Sequence, residues 1–129
     1  MSARENATLV RTMVNAFLTG DLETVGTSFA PDAVWELPGR GRLAGEYKGP
    51  EAIIGFLASS FELSGGTLSL ELMDVLSSET GAAHLQRVTA DHAGRHLECV
   101  EVLVHEIVDS KIVHTYHRPD AYAIDAFFG

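Results

Sequence analysis

The sequence predicts an α+β fold. Three segments with apolar residues at helical spacing occupy the first 64 residues, and four alternating runs joined by short turns fill residues 67–118. That order implies three N-terminal helices packed on a curved antiparallel sheet. The 129 residues read as a single domain, 1–129. A mass of 13.9 kDa corresponds to a folded surface of roughly 6,700 Å², with about two thirds of the unfolded chain's surface buried. That suffices for a core without metal or disulfide staples.

Each element has a local cause. Ser2 and Glu5 have the spacing of a capping box, in which a hydroxyl and a carboxylate satisfy orphan N–H groups. Leu9, Met13 and Phe17 form one row of the first helix, and Val10, Val14 and Leu18 the next. Gly20 stops it. Asp21 caps a short second helix carrying Leu22, Val25 and Phe29. Pro31-Asp32 breaks that helix, and Ala33–Leu37 is a short strand ended by Pro38-Gly39. Gly39, Gly41, Gly45 and Gly49 mark a loop. Pro50 suits the first turn of a third helix, whose apolar side holds Ile53, Ile54, Leu57 and Phe61. Gly65-Gly66 ends it. Residues 67–76 alternate, with Leu68, Leu70 and Leu72 on one side. Strand-like runs follow at about 82–90, 95–108 and 111–118, with Asp91–Gly94 and Asp109-Ser110 as turns. Asp120 reads as an N-cap for the terminal Ala-Tyr-Ala-Ile segment rather than as a catalytic acid.

Strand register assigns the faces. If Asp91–Gly94 closes the hairpin, Ala90 pairs with Arg95, Gln86 with Cys99 and His84 with Glu101. One face then carries His84, Gln86, Val88, Leu97, Cys99, Glu101 and Leu103. The other carries Leu85, Arg87, Thr89, His96, Glu98, Val100, Val102 and Val104, with Arg87 opposite Glu98 as an ion pair worth a few tenths of a kcal/mol.

Charge narrows the function. There are 18 acidic and 9 basic residues, for a net charge of -9. Such a field repels phosphate backbones and anionic lipid, so neither nucleic acid nor a membrane is an expected partner. One Cys excludes an intrachain disulfide and a multi-Cys metal cage. The first residues lack the form of a signal peptide, and a cytoplasmic location is expected. Six histidines raise the question of a metal. His114 and His117 point to opposite faces of a regular strand, and His92 and His96 flank a turn. Neither pair has zinc spacing, and no metal is expected.

Three strings add a resemblance: Phe29-Ala-Pro-Asp-Ala-Val-Trp-Glu-Leu-Pro38, Gly45-Glu-Tyr-Lys-Gly-Pro-Glu-Ala-Ile-Ile-Gly-Phe56, and Asp109 through Phe128. With the order of elements, they make the chain similar to the SnoaL-like and ketosteroid-isomerase-like proteins of the nuclear-transport-factor-2-like superfamily. The likeness spans nearly the whole chain and is specific for the fold rather than the reaction. It implies a cone-shaped α+β barrel whose concave face encloses an apolar pocket, used without any cofactor. Enzymes of this kind set one acid/base group and a few donors against an apolar substrate, where a dry site strengthens each hydrogen bond. The resemblance matches the isomerase base to Leu37, the oxyanion Tyr to about Met13 and the second oxyanion acid to about Leu103. All three are apolar here. The epoxide-hydrolase triad, matched to His84 or Arg87, Gln86 or Thr89, and His117, is likewise not intact.

Relatives carry an acid beyond the final turn, at the position of His117, and a bulge in that strand. A bulge turns Thr115, His117 and Pro119 inward; regular pairing turns Ile112, His114, Tyr116 and Arg118 inward instead. With the bulge, His117 is the expected acid/base group and Glu101 its catalytic partner. An acid between Val100 and Val102 must be paired, solvated or functional. A satisfied buried polar pair is the plain alternative. Trp35, Leu37, His84, Gln86, Cys99, Leu103 and Tyr47 are the expected substrate contacts. Three functions fit: an acid/base enzyme on an apolar carbonyl- or hydroxyl-bearing molecule, a non-catalytic ligand-binding module, or an interaction domain. A homodimer through Val100, Val102 and Val104 is the expected assembly.

Overall fold

A computed structural model describes residues 2–129. In chain order the elements are α1 (Ala3–Leu18), α2 (Leu22–Thr27), β1 (Phe29–Leu37), β2 (Gly45–Lys48), α3 (Pro50–Leu63), β3 (Ser69–Ser77), β4 (Gly81–His92), β5 (Arg95–Val108), β6 (Lys111–Arg118) and α4 (Ala121–Phe128). The strands form one sheet in the order β2-β1-β6-β5-β4-β3. It is curved and unclosed, and the helices pack on it in the cone arrangement expected. The folded surface is 6663 Å², as expected for the mass. No helix among the described residues is long and apolar enough to cross a membrane.

The helices start as the sequence predicts. Ser2 and Glu5 form the reciprocal capping box of α1, Asp21 accepts from Thr24 N–H at 3.1 Å to cap α2, and Pro50 opens α3. Val10, Met13 and Val14 of α1, Val25 of α2, and Ile53 and Phe56 of α3 are buried in one core against the sheet. Leu18 and Phe61, placed on the apolar faces by periodicity, are 47% exposed. Each lies near the C-terminal end of its helix.

Several expectations need correction. The sheet is mixed rather than antiparallel, because β1 and β6 run parallel. β1 begins at Phe29, so Pro31-Asp32 lies inside a strand, in a stretch where pairing with β6 is interrupted between Phe29 and Val34. A missing N–H is tolerated at such an irregularity. The glycine-rich loop contains β2, paired with β1 from Val34 to Leu37. A fourth helix, α4, follows the sheet, capped by Asp120 accepting from Ala123 N–H at 3.1 Å.

The β4–β5 turn is tighter than expected. Ala93 and Gly94, with φ of 52° and 78°, are the two central residues of a turn whose twist suits a hairpin. His92 pairs with Arg95, Gln86 with Glu101 and His84 with Leu103. The register is thus displaced by two residues, an even number, and every side chain keeps its assigned face. Arg87 and Glu98 become diagonal neighbours, 3.8 Å apart.

Candidate active site

Alternation along the two central strands builds the site. On β4 the inward residues include His84, Gln86 and Val88; on β5 they include Leu97, Glu101, Leu103 and His105. The β5–β6 turn, Asp109-Ser110, has both φ values positive (50° and 66°) and pairs Val108 with Lys111. Beyond it, Ile107 faces Ile112 but Glu106 faces His114. Val113 is therefore an extra residue. This bulge rotates the rest of β6 and sends Thr115 and His117 inward, both buried, while Arg118 is exposed.

These side chains form one buried chain of hydrogen bonds. Trp35 Nε1 lies 3.2 Å from His117 Nδ1, and His117 Nε2 lies 2.9 Å from Glu101 Oε1. Gln86 Nε2 lies 2.7 Å from the same oxygen, and Gln86 Oε1 lies 3.0 Å from His84 Nε2. His84 Nδ1 is 2.9 Å from His105 Nε2, and His105 Nδ1 is 2.8 Å from Thr115 Oγ1. The two histidine rings stack at 5.0 Å and 12°.

Donor and acceptor capacities fix the protons. An indole N–H can only donate, so His117 accepts at Nδ1 and carries its proton on Nε2, which donates to Glu101. The Gln86 amide donates to Glu101, so its oxygen accepts from His84 Nε2–H. His84 Nδ1 then accepts from His105 Nε2–H, and His105 Nδ1 accepts from the Thr115 hydroxyl. All three histidines are neutral in this arrangement, and every donor along the chain is directed toward Glu101.

For His84 and His105 the electrostatics agree. Burial pushes His84 down to about 4 and His105 well below the ordinary histidine value. Burial raises the Glu101 carboxyl, but the hydrogen bonds donated by His117 and Gln86 pull the other way, and the group lies below its usual 4.5. Glu101 is ionised and 3% exposed. Its Oε1 receives both donors; no partner meets Oε2. Among the described residues the only fully enclosed side-chain polar atom without a partner is Asn6 Oδ1, so Oε2 is open to the cavity that Glu101 lines.

That cavity measures about 70 Å³. Its floor is His84, Gln86, Glu101 and His117, and its walls are apolar: Met13 and Phe17 of α1, Trp35 and Leu37 of β1, Phe56 of α3, and Phe128 of α4. The half-exposed lining residues, Phe17, Leu57, Leu68 and Leu70, mark its mouth between α1, α3 and β3. Trp35 meets His117 edge-on at 5.5 Å and packs on Phe56 at 5.7 Å, which fixes the imidazole plane.

Of the residues expected at the site, Trp35, Leu37, His84, Gln86, Glu101, Leu103 and His117 line the cavity. Cys99 and Tyr47 are not among the lining residues. Cys99 lies half-buried on the inner face, and burial pushes its thiol up to about 11. The Tyr47 hydroxyl donates to Leu43 O at 2.6 Å and its ring packs at a tilt on Phe56, 4.4 Å between centroids, so it supports the wall from behind. His105 was missed, although extending the alternation from Glu101 and Leu103 by one step reaches it. Ile124 and Phe128 also line the cavity, and no spacing in the terminal segment marks it as a wall.

Comparison with known proteins gives this geometry a family. Residues 10–115 match the SnoaL-like domain. The chain belongs to the SnoaL-like family. An uncharacterized protein of Mycobacterium tuberculosis is 32% identical over 105 residues, covering 81% of this chain and 80% of that protein. The structure of Bal32a, from a soil-derived mobile gene cassette, superposes with a TM-score of 0.93 at 33% identity and covers 98% of each chain. A nuclear-transport-factor-2-like protein of Burkholderia xenovorans shares the fold, with a TM-score of 0.84 at 20% identity over 100% of this chain and 99% of that one. Within this SnoaL-like scaffold, the positions that the resemblance matches to steroid-isomerase machinery, Leu37, Met13 and Leu103, all line the cavity as apolar groups.

Proposed function

We propose that this SnoaL-like protein is an acid/base enzyme for a small, largely apolar molecule, working with protein side chains alone and with Glu101 exchanging the proton. The observation that carries this reading is the state of the Glu101 carboxylate. It is ionised, buried at the base of an apolar cavity, held at Oε1 by His117 and Gln86, and open at Oε2. A carboxylate fixed in this way needs no reorganisation to accept a proton from a bound molecule. His117 acts as a positioning residue in this reading, because both its ring nitrogens are engaged. Proton abstraction beside a carbonyl, cyclisation, dehydration and hydrolysis all fit one such base.

The test is turnover of a panel of apolar ketones, epoxides and hydroxy compounds by the wild type and Glu101→Gln. For any compound that reacts, the substitution is expected to lower kcat by about 10²-fold or more. Unchanged turnover in Glu101→Gln removes the reading. A second reading, a non-catalytic binding module on the same pocket, is favoured by the apolar residues at Leu37, Met13 and Leu103. Tight binding from the panel without product supports that reading instead.

A further inference from the structure

The polar groups around the cavity are unequal in what they leave free. Trp35, His117 and His84 each spend their one N–H on a neighbour in the chain. The Ser60 hydroxyl donates to Leu57 O at 2.8 Å. Gln86 donates one amide hydrogen to Glu101 and retains the second. Against these spent donors stands one carboxylate oxygen, Glu101 Oε2, with no partner. It bears negative charge, and no Lys or Arg lines the cavity. A ligand that brings only acceptors would set lone pairs against that oxygen and bury both without a proton between them, at the cost of an unsatisfied buried group. A ligand that brings an O–H or N–H supplies the proton that Oε2 lacks.

We infer that the cavity selects apolar molecules by a hydrogen-bond donor, an O–H or N–H delivered to Glu101 Oε2, and discriminates against their carbonyl, ether and anionic counterparts. The inference rests on Glu101 as the group that meets the ligand, and it narrows the substrate class to hydroxyl- or amine-bearing compounds. The rest of the lining agrees. Phe17, Leu57, Leu68 and Leu70 at the mouth and Phe56 and Phe128 inside offer a hydrocarbon skeleton no competing polar partner. Sites with a dedicated polar partner reject analogues that lack the matching group far more strongly than apolar walls reject a changed methylene.

Four probes of similar size that differ at the polar group test it: cyclohexanol, cyclohexylammonium, cyclohexanone and cyclohexanecarboxylate, titrated into the purified chain at neutral pH and followed by amide chemical shifts. The alcohol and the ammonium are expected to bind at least about tenfold more tightly than the ketone, and the carboxylate not at all. The ratio of alcohol to ammonium then distinguishes a neutral donor from a cation as the preferred head group. Glu101→Gln is expected to invert the preference. Its amide oxygen can accept from His117 and Gln86, which turns an NH₂ group to the cavity and makes the ketone the better ligand. Equal binding of alcohol and ketone by the wild type overturns the inference, as does failure of all four probes to bind. The same amide spectrum shows whether Glu101→Gln is folded, and the wild-type comparison stands without it. Donor selectivity in a protein that turns over no compound leaves this inference intact and removes the enzyme reading. Glu101-dependent turnover without donor selectivity does the reverse.

Discussion

Two buried histidines, His84 and His105, make stability depend on pH in a definite direction. His84 has a folded-state value of about 4 against an ordinary 6.5, and His105 lies well below 6.5. Between those values the unfolded chain binds protons that the folded chain refuses. Stability is therefore complete above about 6.5 and falls as the pH drops toward 4. At about 1.4 kcal/mol per pH unit, His84 alone carries on the order of 3 kcal/mol. Glu101 loses its contribution further down, as the pH falls through its depressed value. Surface-exposed His96, raised by its hydrogen bond to Asp91, acts in the opposite sense: its contribution is present at low pH and lost as pH rises. Solvent screening makes it the smaller effect. Urea unfolding at pH 7.5, 6, 5 and 4.5 is expected to show a steady fall beginning near 6.5. A stability that stays flat down to pH 5 contradicts the buried, neutral assignment. At this scale the sequence was informative where alternation was regular: Glu101 was legible as an inner-face acid that had to be paired, solvated or functional. The roles were not. Which atom of Glu101 is free depends on Trp35 reaching His117 across 82 residues of sequence, and no spacing rule records that.

Elements explain why the pocket is closed at one end. The Asp125 carboxylate of α4 accepts Arg40 N–H at 2.9 Å and Gly41 N–H at 3.1 Å, so two turn amides and a side chain fasten the terminal helix to the loop before β2. A Cβ at Gly41 would lie 2.5 Å from Gly129 O and 2.7 Å from Asp125 Oδ1, which is why glycine stands there. Ile124 and Phe128 of the fastened helix, with Leu43 of the loop, complete the apolar wall. Asp125→Ala is expected to cost about 1–2 kcal/mol and to raise amide exchange in α4 before β4 or β5. Exchange in α4 that matches the wild type contradicts this role. The glycine-rich stretch was legible as a loop at the cavity edge. Its contact with residue 125 was not, because it joins segments 84–85 residues apart. The bulge at Val113 is a similar case: regular alternation would turn His117 outward, and only the likeness to relatives favoured the inward reading.

The whole molecule shows what folding leaves open. Val100, Val102 and Val104 stand 43%, 38% and 41% exposed in a row on the outer face of β5. An apolar row at the centre of a sheet face suits a second copy of the chain. A dimer is the expected species at micromolar concentration by light scattering, with Val102→Lys shifting it to monomer; a wild-type monomer contradicts that assembly. The architecture was largely legible from periodicity and glycine, proline and cap residues, since those act locally. The parallel β1–β6 pair was not, because strand order is a property of the closed core. Across the cone, the inner polar groups are oriented so that one carboxylate oxygen of Glu101 is left without a partner. The ring-nitrogen chemical shifts of His117 in ¹⁵N-histidine-labelled protein at pH 7 test it most directly. A neutral ring protonated at Nε2, changed by Trp35→Phe and by Glu101→Gln, is the predicted result. A ring protonated at Nδ1, or an imidazolium, would mean that the donors do not converge on Glu101.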